Sequence, residues 1–209
     1  IYNSLDYEKQ LKVRAKLKPS NIFKNHFLND FPTIIYVGRI QKNKKVELLI
    51  NAADNLIQNG ESCNLVIIGD EVESLNLYDK IEKKGLIKNI WLFGPCYDEI
   101  SLGELIYNSN ICVVPGDVGL SIMHSFVYGI PVITHNNFPS HGPEFEAIDP
   151  GVTGDFFVEN SIEDLCNKIS DWISITPQKK NQTKEECHRV IEKRYNPKVQ
   201  VNLLKRILK

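Results

Sequence analysis

The chain has 209 residues, 42% hydrophobic and 24% charged, a composition typical of a folded globular protein rather than a disordered one. Its 25 basic and 26 acidic side chains leave a formal charge of -1, which argues against a nucleic-acid partner held by a broadly basic face. No apolar run approaches the roughly 18 residues of a membrane-spanning helix. The cysteines are too widely spaced for a zinc site or a disulfide framework, which predicts reduced thiols in a cytoplasm.

The first predicted element is a helix over residues 7–17, which Lys18-Pro19 ends because the position before a proline disfavours helix. After it, short apolar runs rich in β-branched residues recur between longer segments. Nearly continuous apolar runs are typical of parallel strands that are covered on both faces. They predict five buried strands and a weaker sixth, at 33–37, 65–68, 90–93, 111–114, 131–134 and 155–158.

Helical patterns lie between and after these strands. Apolar residues at helical spacing over 46–57 predict a helix that stops at Gly60. A second predicted helix covers 120–128 and ends at Gly129, which tolerates a left-handed cap. Three later helices are predicted from their first residues, namely a Ser161/Asp164 capping box, Thr176-Pro177 and Asn196-Pro197.

The alternation of strands and helices predicts an α/β fold. We expect a single Rossmann-like domain with a doubly wound parallel sheet of about six strands, helices on both faces and a helical carboxyl-terminal tail. Ligands of such sheets bind beyond the carboxyl ends of the strands. Glycine is found at four of the five main strand exits, which permits close approach of a ligand, although α/β proteins also need glycine for turns.

Two of these exits favour an anionic ligand. Arg39 follows the first strand, and Asn43-Lys44-Lys45 occupies the predicted start of the next helix. A cation in the first turn interacts unfavourably with the helix dipole, at a cost of roughly 0.3–1 kcal/mol. An anion bound at that end would offset this cost. The alternative, that the lysines simply extend into water, stays open. The 116–119 turn offers a second anion site but matches neither a Walker loop nor a dinucleotide fingerprint.

The strand exits also form one ordered set of motifs: Gly38-Arg39-Ile40 with Lys44, Gly69-Asp70, Phe93-Gly94, the run PGDVGLSIMHSFVYGIPV at 115–132, and GVTG at 151–154. This set resembles the donor-binding half of glycosyltransferase family 4, in order and approximate spacing, over residues 32–175. The resemblance implies half of a GT-B architecture, in which two Rossmann-like domains face each other across a cleft. The carboxyl-terminal domain of such enzymes binds a nucleotide-diphosphate sugar, and the amino-terminal domain binds the acceptor.

The resemblance also implies a function and a domain organisation. We expect a retaining glycosyltransferase of surface polysaccharide or glycolipid synthesis, cytoplasmic or at the inner face of the membrane, with a glycan or lipid-linked acceptor and possible peripheral membrane contact. Transfer in this family needs no metal or other cofactor. Residues 1–20 would be an interdomain linker with a helix, 21–176 the nucleotide-sugar-binding domain, and 177–209 helices that pack on it and toward a missing amino-terminal domain.

Residue roles carry over by position. Arg39 and Lys44 match the two family cations that neutralise the departing diphosphate, and would be the catalytic residues. The diphosphate would also meet Val118, Gly119 and Leu120. The ribose and base would meet Gly69, Phe93, Gly94, Pro95, Cys96, Tyr97 and His124. The donor sugar would meet Gly116 and Asp117. The long loop at 135–148 is polar, and loops of this length are often functional. Its candidates for contact with sugar hydroxyls are Asn136, Asn137, His141, Glu144 and Glu146, with Glu146 favoured because it aligns with a family glutamate; the alternative is that they are solvated loop residues.

The sequence departs from the family at two glutamates, whose positions fall on Gly116 and His124. The first usually contacts the donor sugar and the second the ribose hydroxyls. His124 can replace the second with one hydrogen bond or be a packed helix residue; both readings stay open. Because both glutamates are absent, a second hypothesis stays open, namely a non-catalytic nucleotide-sugar-binding or interaction module. A flavodoxin-like phosphate-binding or signalling domain is disfavoured, because it would have an acidic cluster at the end of the first strand, and this sequence has Arg39 there.

Overall fold

The structure is a computed structural model that describes residues 3–71 and 75–208. Ile1, Tyr2 and Lys209, which belong to the predicted terminal segments, lie outside the described residues. A sheet of six parallel strands forms the centre: β1 (Thr33–Val37), β2 (Asn64–Ile68), β3 (Ile90–Gly94), β4 (Ile111–Val113), β5 (Val132–His135) and β6 (Gly154–Phe157). Their order across the sheet is β3-β2-β1-β4-β5-β6, which is the doubly wound arrangement with its switch point between β1 and β4.

Helices pack around this sheet and form the tail. They are α1 (Tyr7–Arg14), α2 (Ile22–Phe27), α3 (Val46–Gln58), α4 (Leu77–Lys83), α5 (Glu99–Asn108), α6 (Ser121–Val127), α7 (Ile162–Ile173), α8 (Pro177–Lys193) and α9 (Pro197–Ile207). None of the described helices is both long and apolar enough to cross a membrane. The predicted fold class, an α/β domain with about six parallel strands and a helical tail, is confirmed.

The core explains why the strands were recognisable. Every residue of β2 is buried, and so are all of β4 and β5 and the first four residues of β1. Burial of one Ile, Leu or Val side chain stabilises the folded state by about 1.5–3 kcal/mol. A strand covered on both faces is therefore stabilised by apolar residues at nearly every position. Unbroken apolar runs in the sequence therefore mark these four strands.

Some element boundaries differ from the predicted ones. The first helix ends at Arg14, because the amides of Lys16 and Leu17 bond to carbonyls only three residues back and tighten the last predicted turn. The short helices α2 and α4, of six and seven residues, were not predicted, since helical periodicity needs a window of about 11 residues or more. The ten-residue α5 was also missed, although Asp98 caps it by accepting from the Ser101 amide at 2.8 Å.

The predicted caps of the last three helices are confirmed. Side-chain oxygens at the three N-cap positions accept from backbone amides three residues later, namely Ser161 from Asp164, Thr176 from Lys179 and Asn196 from Val199. The capping box is only half formed, however. The Asp164 carboxylate accepts from the amide of Val158 at 2.6 Å, so it ties the end of β6 to α7 instead of reaching back to its own N-cap residue.

Candidate functional site

A cavity of about 500 Å³ lies at the carboxyl ends of β1, β2 and β4, beside the loop after β3. This is the edge where ligands of open parallel sheets bind. Its walls include side chains and backbone from nine of the positions that the resemblance assigned to the donor: Arg39, Lys44, Gly69, Pro95, Cys96, Tyr97, Gly119, Leu120 and His124. The structure thus brings together residues that are up to 85 positions apart in the sequence.

Arg39 stands on a firmly held piece of backbone at the exit of β1. The Tyr36 hydroxyl donates to its carbonyl oxygen at 2.7 Å, and the next amide, of Ile40, donates to the carbonyl of Asp70 at 2.8 Å. The exits of β1 and β2 can meet because residue 69 is glycine: a Cβ there would lie 1.8 Å from the carbonyl oxygen of Gly38. No described acidic residue pairs with the Arg39 guanidinium, so its charge faces the cavity.

Lys44 belongs to a short 3-10 turn, Lys42–Lys44, that follows β1. Its Nζ donates to the carbonyl oxygen of Asp117 at 2.5 Å. Burial lowers the pKa of Lys44; the nearby Asp117 carboxylate acts in the opposite direction, and Arg39 adds to the lowering. Arg39 and Lys44 thus line the same cavity, and each influences the electrostatics of the other.

The lysines were predicted to lie in the first turn of the following helix, and that placement is wrong. Lys45 is the N-cap residue, with φ +51° in the left-handed region, and α3 begins at Val46. Lys45 does not line the cavity. Its Nζ instead forms an ion pair with Oε1 of Glu159 at 2.5 Å. The helix dipole is met by Glu47 in the first turn, so the argument that two lysines oppose it does not hold.

The loop between β4 and α6 packs against the Lys42–Lys44 turn. A Cβ at Gly116 would lie 1.9 Å from the carbonyl oxygen of Asn43, so no side chain fits at position 116 in this arrangement. Asn43 also accepts from the amide of Asp117 at 3.2 Å and donates to its carboxylate at 2.9 Å. Gly116 and Asp117 accordingly hold the loop in place; neither lines the cavity.

Val118 is buried, and its amide donates to Nδ1 of His141 at 3.1 Å. Because Nδ1 accepts, Nε2 carries the proton and donates to the carbonyl oxygen of His135 at 2.8 Å. Burial lowers the pKa of His141, and burial together with His141 lowers the pKa of His135 to about 4. A neutral His141 thus connects the loop before α6 to the end of β5, and it engages the Val118 amide that was assigned to the diphosphate.

The long loop after β5 places its polar residues outside the cavity. Asn137 donates to the Glu159 carboxylate at 2.9 Å, and Asn136 accepts from the Glu159 amide at 3.2 Å. Glu146 is exposed, whereas Glu144 is 3% exposed and its carboxylate lies beside Gly119. The structure therefore brings Glu144, and not Glu146, to the edge of the cavity.

Residues after β3 form the opposite wall. Pro95, Cys96 and Tyr97 line the cavity, and Tyr97 is 87% exposed. Phe93 and Gly94 instead line an adjoining hollow of about 270 Å³ that shares Gly69, Asp70 and Pro95 with the main cavity. The three cavity-lining residues after β3 thus include one aromatic side chain, Tyr97, and no acidic or basic one.

His124, on α6, faces a carboxylate that sequence reasoning missed. Its Nε2 lies 3.8 Å from Oε2 of Glu99, whose other oxygen accepts from the hydroxyl of Tyr128 at 2.5 Å and from Gln10 at 3.2 Å. Burial acts to raise the pKa of Glu99, but His124, Tyr128 and Gln10 together bring it below its ordinary value. No motif marks Glu99, because its partners come from α1 and from α6 with its C-cap residue, both distant from it in the sequence.

Comparisons with known proteins agree with this architecture. The sequence is 33% identical, over 117 residues and 52% of this chain, to the alpha-D-kanosaminyltransferase of Streptomyces kanamyceticus, of which it covers 29%. The fold is similar to a glycosyltransferase from Rickettsia africae, with TM-score 0.79 and 21% identity over 99% of this chain and 56% of that one. It is also similar to HepE from Anabaena in complex with UDP, with TM-score 0.76 and 19% identity over the same shares. This chain spans about half the length of these two structures and less than a third of the first relative.

The family described as glycosyl transferases group 1 matches residues 18–196. That range contains the whole sheet and every residue that lines the cavity. The structural likenesses, at 21% and 19% identity, show a common fold, and the family match shows common descent over most of the chain. The chain belongs to the glycosyl transferases group 1.

Proposed function

We propose that this chain is the donor-binding domain of a retaining, GT-B glycosyltransferase of family 4 that acts on a nucleotide-diphosphate sugar. The observation that carries the proposal is the convergence of Arg39 and Lys44 on one cavity at the carboxyl edge of the sheet. Charge-assisted hydrogen bonds to a phosphate are worth about 1.5–3 kcal/mol each. The same two cations would stabilise the charge that develops on the departing diphosphate, so that no metal ion is needed for this role.

The remaining walls suit the other parts of such a donor. The surfaces from Pro95 to Tyr97 would flank the base, and His124 would form one hydrogen bond with a ribose hydroxyl. We take a uridine nucleotide as the first candidate, because HepE, a structural neighbour, was solved with UDP and with UDP-glucose. The acceptor, a glycan or lipid-linked saccharide, would bind a second domain across the cleft, in a cytoplasmic enzyme of surface polysaccharide synthesis.

A second candidate is a nucleotide-sugar-binding module without catalysis. It is favoured by one observation: position 116, where relatives usually carry a glutamate, has no room for a side chain. Turnover by the complete protein on a panel of donor sugars separates the two candidates, because only the enzyme releases free nucleotide in the presence of an acceptor.

The test of donor binding is calorimetric titration of the chain with UDP, GDP and ADP, each with Mg²⁺ and with EDTA. We expect one nucleotide to bind with a Kd on the order of micromolar to millimolar. EDTA should leave that Kd unchanged, since the cations are Arg39 and Lys44. The proposal fails if none of the three nucleotides binds at millimolar concentration.

A further inference from the structure

Glu144 is a buried carboxylate at the edge of the cavity that the proposed donor contacts do not yet use. It belongs to a short 3-10 segment, Pro143–Ala147, in the loop between β5 and β6. This segment packs against α6, and Glu144 is only 3% exposed, while Glu146, two positions later, is exposed. The loop thus turns one of its two glutamates inward and the other to solvent.

Only one oxygen of the Glu144 carboxylate is occupied within the described part of the chain. Oε1 accepts from the side-chain amide of Asn3 at 2.6 Å, and no described residue donates to Oε2. A carboxylate can only accept hydrogen bonds when ionised, and burial without such bonds is costly. The second oxygen is therefore free to accept from an O–H or N–H group of a ligand, in place of water.

Two glycines lie beside this oxygen, and one of them, Gly142, makes room for it. A Cβ at Gly142 would lie 2.5 Å from Oε2, and a Cβ at Gly119 would lie 3.9 Å from it. Gly119 lines the cavity, and the amide of Gly142 donates to the carbonyl of Val118 at 2.9 Å. Oε2 consequently lies between two backbone segments, beside the Gly119 backbone that lines the cavity.

Other acidic side chains near this wall already have partners. The Asp117 carboxylate accepts from Asn43 at 2.9 Å, and the Glu159 carboxylate accepts from Lys45 and Asn137. No side chain fits at Gly116. Oε2 of Glu144, in contrast, accepts from no described residue.

We propose that Oε2 of Glu144 accepts hydrogen bonds from hydroxyl groups of the sugar in the donor, which makes Glu144 a residue that determines sugar specificity. The inference rests on the proposed nucleotide-sugar function. Sugar hydroxyls supply the donors that the carboxylate lacks, and a carboxylate that is fixed by Asn3 and by the 3-10 segment can select hydroxyl positions. Glu146, which the sequence favoured for this role, would have no part in it.

The experiment compares Glu144→Gln with Glu146→Gln as the matched control, using UDP, UDP-glucose, UDP-galactose and UDP-N-acetylglucosamine as ligands. For the UDP-sugar that the unmodified chain binds best, we expect Glu144→Gln to weaken binding about tenfold or more and to change UDP binding less than twofold. Glu146→Gln should change neither. If UDP and the UDP-sugar weaken equally, or neither weakens, Glu144 does not read the sugar.

Two further variants keep the test decisive. Glu144→Asp retains the charge but is one methylene shorter, so its carboxylate no longer reaches the position of Oε2. We expect this variant also to lose affinity for the UDP-sugar but not for UDP. It replaces the Gln variant in the test if that variant does not fold. Asn3→Ala removes the partner of Oε1 but leaves Oε2 and the 3-10 segment in place, so it should weaken binding of the UDP-sugar less than Glu144→Gln does. If the unmodified chain binds no UDP, GDP or ADP, the proposed function has failed, an outcome distinct from unchanged sugar selectivity in a chain that binds UDP.

Discussion

The Nζ atom of Lys44 donates a hydrogen bond of 2.5 Å to the backbone carbonyl oxygen of Asp117. This bond joins the turn after β1 to the loop after β4, across the switch point of the sheet. An ammonium group has three N–H donors, and the carbonyl uses one of them. Lys44 is thereby fixed at the cavity with two donors left for an anionic ligand.

Removal of either cation of the cavity should weaken nucleotide binding. We expect Arg39→Ala and Lys44→Ala each to raise the Kd for the best nucleotide diphosphate at least about tenfold, because one charge-assisted contact is lost. Calorimetric titration measures the change. Lys42→Ala is the matched control, since Lys42 lies on the same turn outside the cavity lining. An unchanged Kd in the Arg39 and Lys44 variants would remove both residues from the site.

Gly116→Ala should destabilise the fold. The added Cβ would lie 1.9 Å from a backbone oxygen of Asn43, and backbone cannot move aside as a side-chain tip can. We expect a loss of about 1–3 kcal/mol in the free energy of unfolding, measured by urea denaturation. Gly119→Ala is the control in the same loop, because its Cβ would meet nothing closer than 3.9 Å, and should change that free energy by less than about 0.5 kcal/mol. Equal stability of the two variants would contradict the close approach.

Glu99 should stabilise the fold because its carboxylate accepts hydrogen bonds from Tyr128 and Gln10. Glu99→Ala leaves the Tyr128 hydroxyl and the buried Gln10 amide without their acceptor, and we expect a loss of about 1–3 kcal/mol. Glu99→Gln keeps an acceptor oxygen in place and should lose less. Chemical denaturation of both variants at pH 7 gives the comparison, and a Gln variant as unstable as the Ala variant would show that the charge, not the hydrogen bonds, is what counts.

His135 should make the stability depend on pH between about 4 and 6.5. Its pKa in the folded chain is about 4, because burial and His141 disfavour the charged form, against about 6.5 when unfolded. The unfolded chain therefore binds more protons in that window, so stability rises with pH through it and levels off above. Denaturation midpoints from pH 4 to pH 7 measure the slope.

The variant His135→Phe tests this contribution against those of other histidines, since burial also lowers the pKa of His141 and lowers that of His188 to about 4. Phenylalanine keeps a ring at a fully buried position and cannot take up a proton. We expect a shallower rise of stability with pH in this variant. A slope identical to that of the unmodified chain would assign the dependence to other groups.

Most of the fold was readable because local patterns encode it. β2 is buried throughout and apolar at every position after its first residue, Asn64. Ser161, Thr176 and Asn196 begin helices through hydrogen bonds that reach only three residues ahead. The site at the carboxyl edge follows from topology alone, so the positions of Arg39 and Lys44 at one cavity were also within reach of the sequence.

Which side chains complete the site was decided by contacts between distant segments. The sequence favoured Glu146 over Glu144, whereas the packing of the 3-10 segment on α6 turns only Glu144 inward. Likewise, Asn43 and Gly116 lie 73 positions apart in the sequence, yet their contact excludes a side chain at 116. Periodicity and capping report a residue's neighbours within about one turn, whereas burial and hydrogen-bond partners depend on the whole arrangement of loops, and only the tertiary structure sets that arrangement.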